Sequence, residues 1–583
     1  MRTGSLPGAA GAVVARRVGL VVFGVAVGFA LFLVMLAAGE RAGLLRDLSP
    51  PPHFKPVVDA QGRAVRDARG RELFAIDPEL AAARAGRSDS DRFAVAREKD
   101  AGTFRILSIG ESTTFGAGYD GRASYSRFLE ARLRTRLGRD SVEVVNCGKN
   151  GYDSRDWLTL AGELEGFAPD LLVVYAGHNE LKKPNLIGVV EPAKARLRRS
   201  RLLRRLLGEP RDDVPAPPSI QVGSFLDPDQ RAFALSLFDG GLRALLDAAR
   251  ECRVPVVLCI PASNVLDQPP RLSVVRPGAD AAARLATVRE AGRSFDFGEL
   301  IEPAADADRD AAERALLAVE QALARDDAAI LHFRRGRILL ALGRTEPARA
   351  ALSRSLELDG LPERAPPDFV GRTRALAREY GVLVADVESR FEREARRGVA
   401  GYDLCFDYGH PNLFGHFVIA DEILAAIERA GASLPIGPLD PAREQGATLR
   451  ERFDACCRAL DLSESGAARA LQSQGAAQLN AIGTRSDPDP GSWAVPEEFL
   501  AAALRLDPGR TEDVEFLVLR ACTSAGRGDG AAARRDLAAA KRLDAGRVGE
   551  LARAVAALPG LVAALLAVGV EAQPDGFRWK EPP

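Results

Sequence analysis

Cysteine and histidine are both scarce in this 583-residue chain, and that scarcity limits its chemistry. The seven cysteines (Cys147, Cys252, Cys259, Cys405, Cys456, Cys457 and Cys522) form no CxxC pair and no Cys/His cluster with zinc-ligand spacing. An odd number at irregular spacing speaks against a disulfide framework, though one or two bridges stay open if the body is exported. Excess charge is missing as well. Lys and Arg number 79 against 80 Asp and Glu, so nothing in the overall balance draws the chain to nucleic acid. The chain also has no Walker pattern, no GxGxxG after a strand and no HExxH, so no cofactor or metal is expected.

What is present is globular. Hydrophobic residues make up 46% and charged residues 27%, and the length suits two to four domains. Residues 18–39 carry no charge and consist mostly of Val, Leu, Phe, Ala and Gly. That is about the ~20 residues that a membrane-spanning helix needs. Arg2, Arg16 and Arg17 precede the run, which predicts a cytoplasmic N-terminus and a body outside the cytoplasm. The rival is a cleaved signal peptide, whose apolar core is usually ~7–15 residues. The run is longer than that, and Ala37-Ala38-Gly39 is an indifferent cleavage site. Arg16-Arg17 invites a twin-arginine reading, but the rest of that signal is missing.

Beyond a proline-rich linker at 50–52 and a polar extension to about residue 100, strand and helix patterns alternate. Short apolar runs at 104–109, 142–145, 171–175, 254–260 and 382–386 predict buried strands. Residues 125–137, 233–252 and 416–430 have helical spacing. This alternation predicts an α/β fold with a parallel sheet covered on both faces. Residues 306–359 are helical in pattern without strand signals. Within them Gly336, Leu339, Gly343, Ala348 and Leu352 fall at tetratricopeptide-like (TPR-like) offsets, and Gly528, Ala533, Leu537 and Ala540 make a weaker match. An ordinary Ala-rich helical insertion is the alternative, and a protein partner would suit the repeat-like reading. Residues beyond 435 look helical throughout, with 561–570 expected as a buried helix rather than a second span. Lys194 to Arg205 forms a basic stretch interleaved with leucines, either a solvated face or a helix for an anionic membrane surface.

Chemistry is expected at strand ends. In an open parallel sheet, ligands lie beyond the carboxyl ends of the strands. Ser112, in Gly110-Glu111-Ser112-Thr113, follows the first strand. A serine there is often only a helix cap, and as a nucleophile it needs a base. Among five histidines (His53, His178, His332, His410 and His416), His410 stands out in Asp407-Tyr408-Gly409-His410-Pro411. An acid three residues before it can hold the imidazole in the tautomer a base requires. The alternative is a local turn bond. His416, on the next helix, reads as structural. Gly148 after the second strand and Asn179 after the third offer donors for a developing oxyanion.

Together the four blocks resemble the SGNH (GDSL-like) hydrolase family, named for its Ser, Gly, Asn and His blocks. The resemblance covers roughly residues 103–265 and 380–430. It implies a three-layer, flavodoxin-like parallel-sheet core and an ester hydrolase working through an acyl-serine. By resemblance Ser112 is the nucleophile, His410 the base and Asp407 its orienting acid. The Ser112 N–H, the Gly148 N–H and the Asn179 side chain would form the oxyanion hole. Two departures are visible: Glu111 stands where Asp is usual before the serine, and Glu180 where Asp usually follows the Asn block. The substrate would be an acyl ester of a glycan, a lipid or a small alcohol. One alternative is an O-acyltransferase on an exported polysaccharide, with a sugar hydroxyl replacing water. Another is a TPR-type scaffold with a vestigial site.

The expected layout is a cytoplasmic N-terminus over 1–17, a transmembrane helix over 18–39 and a linker and extension over 40–100. The hydrolase core would then occupy 101–305 and 361–435, split by a TPR-like insertion at 306–360 and followed by a helical C-terminal region over 436–583.

Overall fold

Strand β1 (Phe104–Gly110) is buried along its whole length because it lies inside a five-stranded sheet, with a paired strand on each side. It pairs in parallel with β2 (Val142–Gly148) on one side and β3 (Leu171–Tyr175) on the other. β4 (Val256–Cys259) and β5 (Leu383–Ala385) continue outward from β3, giving the order β2-β1-β3-β4-β5 with every pairing parallel. This is the doubly wound order in which the chain reverses direction across the sheet at β1 and β3. The structure is a computed structural model, and it describes residues 52–85, 92–119, 122–138, 140–181, 219–222, 228–293, 306–483, 493–573 and 575–579. The apolar run at 18–39 and the basic stretch at 194–205 lie outside the described residues. Phe54–Pro583 forms one compact unit.

Side chains alternate across a strand, so each strand feeds two cores. Phe104, Ile106, Val144, Val173 and Val257 face one core, completed by Phe128 and Leu133 of α1 (Tyr125–Leu137). Leu107, Ile109, Val145, Val174 and Leu258 face the other, with Trp157 of α2 (Ser154–Leu160) and Phe238 of α3 (Pro228–Glu251). A parallel sheet needs such cover on both faces. The helical insertion consists of α4 (Asp306–Leu323), α5 (Ala329–Ala341) and α6 (Thr345–Glu357), packed around a separate apolar cluster. Gly336 of α5 is a contact point: a Cβ there would lie 2.5 Å from Leu352 Cγ on α6. The helices α7 (Pro367–Tyr380) and α8 (Leu413–Ala430) flank the returning strand β5. In the C-terminal region, α9 (Glu464–Gly483) and α10 (Ala494–Leu506) precede a pair formed by α11 (Val514–Gly526) and α12 (Gly530–Leu543).

Several expectations are corrected. The fourth strand begins at Val256 rather than 254, because Pro255 has no N–H and the Val254 amide closes the preceding helix on the Ala249 carbonyl. The stretch to residue 100 is more than linker and tail. It holds a three-stranded sheet (Lys55–Pro56, Leu73–Ala75 and Val95–Ala96), and Phe54 packs on Phe167 with tilted rings whose centroids lie 4.1 Å apart. Ser219–Val222 pairs with Leu272–Val275 as a separate two-stranded ladder. The end of the chain is not helical throughout. The helix expected to run to 570 stops at Ala567, Gly569 turns with φ 75°, and Val570–Gln573 pairs with Gly576–Trp579 as a hairpin. Among the described residues no single helix is long and apolar enough to cross a membrane. All seven cysteines are free.

Candidate active site

Ser112 owes its position to the carboxyl end of β1. Gly110 lies opposite Gly148 of β2 and Tyr175 of β3 in the ladder. A side chain at Gly110 would place its Cβ 2.1 Å from Thr114 Oγ1 and 2.2 Å from the Tyr175 carbonyl, so only glycine fits. The backbone stays extended at Glu111 and then turns into the four-residue helix Ser112–Phe115, which Gly116 ends in a left-handed conformation (φ 82°). Ser112 opens that helix and is half-buried, and first-turn amides of a helix have no intrahelical acceptor.

The structure brings together Ser112, His410 and Asp407, which are far apart in the chain. His410 Nε2 lies 2.7 Å from Ser112 Oγ, across 298 positions of sequence. Its Nδ1 lies 2.6 Å from Asp407 Oδ2. The other Asp407 oxygen accepts the Gly409 and His410 amides at 2.9 and 2.8 Å. Burial pushes the Asp407 carboxyl up. The neighbouring His410 and these hydrogen bonds outweigh it, so Asp407 ends below the ordinary carboxylate range. An ionised acid on Nδ1 fixes the proton there and leaves Nε2 free to accept one. The imidazole stacks on Phe406 with centroids 5.5 Å apart.

The other two expected donors lie at the neighbouring strand ends. The Asn179 amide donates to the Tyr152 carbonyl at 2.8 Å, which uses one of its two hydrogens. The Gly148 N–H donates to Asn146 Oδ1 at 3.0 Å, so it reaches an incoming oxyanion only by sharing that hydrogen or releasing Asn146. Gly148 is as tightly constrained as Gly110, since a Cβ there would lie 2.2 Å from the Phe115 nitrogen.

The two departures from the family pattern lie under this rim. Buried Glu111 accepts the Gly177 N–H at 2.8 Å and the His178 N–H at 3.1 Å, holding the turn that carries Asn179. Glu180 accepts the Ser154 N–H at 3.0 Å and its hydroxyl at 2.6 Å, at the start of α2. Burial, then the negative charges of Glu111 and Asp153, raise the Glu180 carboxyl well above its ordinary range.

Sequence reasoning missed the residues that hold the Asp407–His410 turn. Asn264, fully buried beyond the end of β4, donates to the Asp407 carbonyl at 3.0 Å and accepts the Asp267 amide. The strand-end rule that singled out Ser112 could have found it. Arg505 of α10 donates to the Phe406 carbonyl at 2.7 Å and sits 3.7 Å over the Tyr402 ring. Nothing in its Ala-rich helix signals that. His416 is buried on α8 with its ring edge-on to Tyr119, and burial followed by His410 pushes it down to about 3, so it stays neutral. His332 bonds Asp327, and His178 accepts the Ala365 amide.

The GDSL-like lipase/acylhydrolase family model matches residues 108–335, less than half of the chain. This segment takes in the Ser, Gly and Asn blocks and ends before Asp407. No curated protein shows significant similarity to the chain. Among solved structures, similarity extends to a catalytic variant of an acetylxylan esterase from Geobacillus stearothermophilus, at 13% identity over 57% of this chain and 96% of that one, with a TM-score of 0.28. An alpha/beta hydrolase from the metagenome of Lake Arreo, Spain, matches at 16% identity over 57% and 97%, with a TM-score of 0.26. A G-D-S-L family protein from Desulfitobacterium hafniense DCB-2 matches at 11% over 56% and 99%, with a TM-score of 0.25. Likeness at this level carries no argument about substrate. The chain carries a GDSL-like lipase/acylhydrolase domain, a class of ester-hydrolysing enzyme.

Proposed function

We propose that the protein cleaves a carboxylic ester through an acyl-serine formed on Ser112. The observation that carries this reading is the continuous hydrogen-bonded chain from Ser112 Oγ through His410 to Asp407. In the first step Ser112 Oγ bonds to the acyl carbon while His410 Nε2 takes the hydroxyl proton. The carbonyl oxygen, now negative, is held by the Ser112 and Gly148 N–H groups and the Asn179 amide. The tetrahedral centre collapses, the ester C–O bond breaks, and His410 returns its proton to the leaving alcohol. Water then repeats the sequence on the acyl-serine, with His410 as base, and releases the acid with Ser112 restored.

Ser112→Ala should reduce hydrolysis of 4-nitrophenyl acetate by roughly 10⁴–10⁶-fold with an unchanged melting temperature. Wild-type protein should label with a fluorophosphonate on Ser112 alone. Wild-type turnover in Ser112→Ala would sink the assignment.

In the same reading the run at 18–39 anchors the protein in a membrane, with Phe54–Pro583 outside the cytoplasm. The support is its length without charge and the arginines before it. A reporter active only outside the cytoplasm, fused at the C-terminus, should be active. A fusion active only in the cytoplasm would overturn that placement.

A further inference from the structure

The turn that carries Asp407 and His410 rests on the loop that follows β4, residues 264–271. The Asn264 N–H donates to the Tyr408 carbonyl at 3.0 Å, and its side chain donates to the Asp407 carbonyl. Asp267 accepts the Tyr402 N–H at 2.8 Å, and the Val265 and Leu266 amides share the Ala400 carbonyl. These bonds place the turn relative to the loop, so the loop must itself be held if His410 is to meet Ser112.

The strap that returns from the helical insertion, residues 359–365, holds it. Asp359 accepts the Arg271 and Leu272 amides at 2.9 and 3.0 Å. Arg364, only 4% exposed, donates to the Asn264 carbonyl, to the Gln268 carbonyl at 2.9 Å and to the Pro269 carbonyl at 3.3 Å. The Asp359 carboxylate stands 4.0 Å away, so the loop carbonyls are the close acceptors of Arg364. Buried carbonyls need donors. A planar guanidinium serves several of them at once in a fixed geometry, which the compact ammonium of a lysine does not match. The next residue reaches the other half of the site: the Ala365 N–H donates to His178 Nδ1 at 3.1 Å, beside Asn179.

We infer that Arg364 is a positioning residue for ester cleavage: it fixes the 264–271 loop and, through Asn264, keeps His410 within reach of Ser112. Arg364 bonds to none of the reacting groups and acts only through the loop. The inference rests on the Ser112 chemistry proposed above.

The test uses the full-length protein and 4-nitrophenyl acetate. Arg364→Lys keeps the charge and loses the fork. Its kcat should fall roughly 10–100-fold, the cost of moving a reacting group by on the order of 1 Å. KM should change far less, as expected when a group acting in the chemical step is displaced. The rate at which a fluorophosphonate labels Ser112 should fall in parallel. Arg105→Lys is the control for stability alone. Arg105 is equally buried and also donates to two backbone carbonyls, those of Ala96 at 2.9 Å and Phe167 at 2.7 Å, but it lies at the opposite end of β1 from Ser112. Its variant should melt at a lower temperature with kcat retained. Asn264→Ala removes the next link, so the double variant Arg364→Lys/Asn264→Ala should lose little more kcat than the worse single variant. Wild-type kcat in Arg364→Lys overturns the inference, as does an equal loss of kcat in Arg105→Lys or a double variant whose losses multiply. Failure of Arg364→Lys to fold also overturns it, since Arg364 would then serve folding alone. If wild-type protein neither cleaves the ester nor takes the fluorophosphonate on Ser112, the hydrolase reading fails and the positioning role falls with it.

Discussion

The two halves of the site are held in place by different kinds of force. The strand-end half, with Ser112, Gly148 and Asn179, is fixed mainly by backbone, with the Glu111 carboxyl bracing the turn before Asn179. Ladder register sets Gly110 opposite Gly148 and Tyr175, and neither glycine has space for a Cβ. The turn half, with Asp407 and His410, lies on no strand of the sheet. Side-chain hydrogen bonds from Asn264 and Arg505 to the Asp407 and Phe406 carbonyls, together with the Asn264 amide on the Tyr408 carbonyl, hold it to the core, and the Asp407 carboxylate accepts the Gly409 and His410 amides within the turn. A backbone-fixed half should respond to substitution through folding, because interiors are close-packed and yield little. A half fixed by side-chain bonds should respond through catalysis, leaving the fold alone.

Asp407→Asn gives the largest expected effect after Ser112→Ala and tests the turn half. Asparagine still accepts the Gly409 and His410 amides through its oxygen. Its nitrogen, however, donates to His410 Nδ1, so the ring proton moves to Nε2 and no acceptor faces Ser112. Turnover should fall by roughly 10⁴-fold, the size seen when a triad acid loses its charge. At neutral pH the urea midpoint should fall only modestly, by the stability that the ionised Asp407 contributes, and the protein should stay folded. A variant that unfolds instead would break the contrast. Gly148→Ala tests the other half. Its methyl would lie 2.2 Å from the Phe115 nitrogen and 2.6 Å from the Thr114 carbonyl carbon, both backbone atoms, so something must move. A stability loss of about 1–3 kcal/mol is expected, read as a lower urea midpoint, with reduced activity because the displaced helix carries Ser112. Activity lost at unchanged stability would show that this half is no more rigid than the turn.

The same contrast explains what could be read from the sequence. The strand-end half was legible because a buried parallel strand is a continuous apolar run, and the rule about carboxyl ends then places Ser112, Gly148 and Asn179. Residues 171–175 were bounded correctly for that reason. Asp407 and His410 were visible as a motif, but their nearness to Ser112 depends on folding across 298 positions, which only the structure supplies. The supports of the turn were invisible. Asn264 and Arg505 bond to backbone carbonyls, and a carbonyl gives no sequence signal for its partner. The N-terminal extension and the final hairpin were missed because their strands are two to four residues long, too short for alternation to register.

The smallest effect separates the halves by the direction in which they titrate. Asp407 is held below the ordinary range, so its contribution to stability is present above about 3.8 and is lost as pH falls through the folded value. Glu180 is the reverse. Its folded pKa lies well above 4.5 because of burial, Glu111 and Asp153. Between 4.5 and that raised value the unfolded chain has released the proton and the folded chain still holds it. Folding therefore takes up a proton, and stability falls as pH rises, by at most ~1.4 kcal/mol per pH unit. Glu180→Gln removes this slope. The amide oxygen still accepts the Ser154 N–H, while the NH₂ replaces the oxygen that accepted the Ser154 hydroxyl and donates to that hydroxyl once it turns to receive it. Melting temperatures of wild type and Glu180→Gln should lie close together below pH 4.5 and diverge in favour of the variant from pH 5 to 8. Parallel curves would mean that Glu180 is ionised in the folded protein, and that the strand-end half rests on a pair of carboxylates whose repulsion is offset by the three amides and the Ser154 hydroxyl bonded to them.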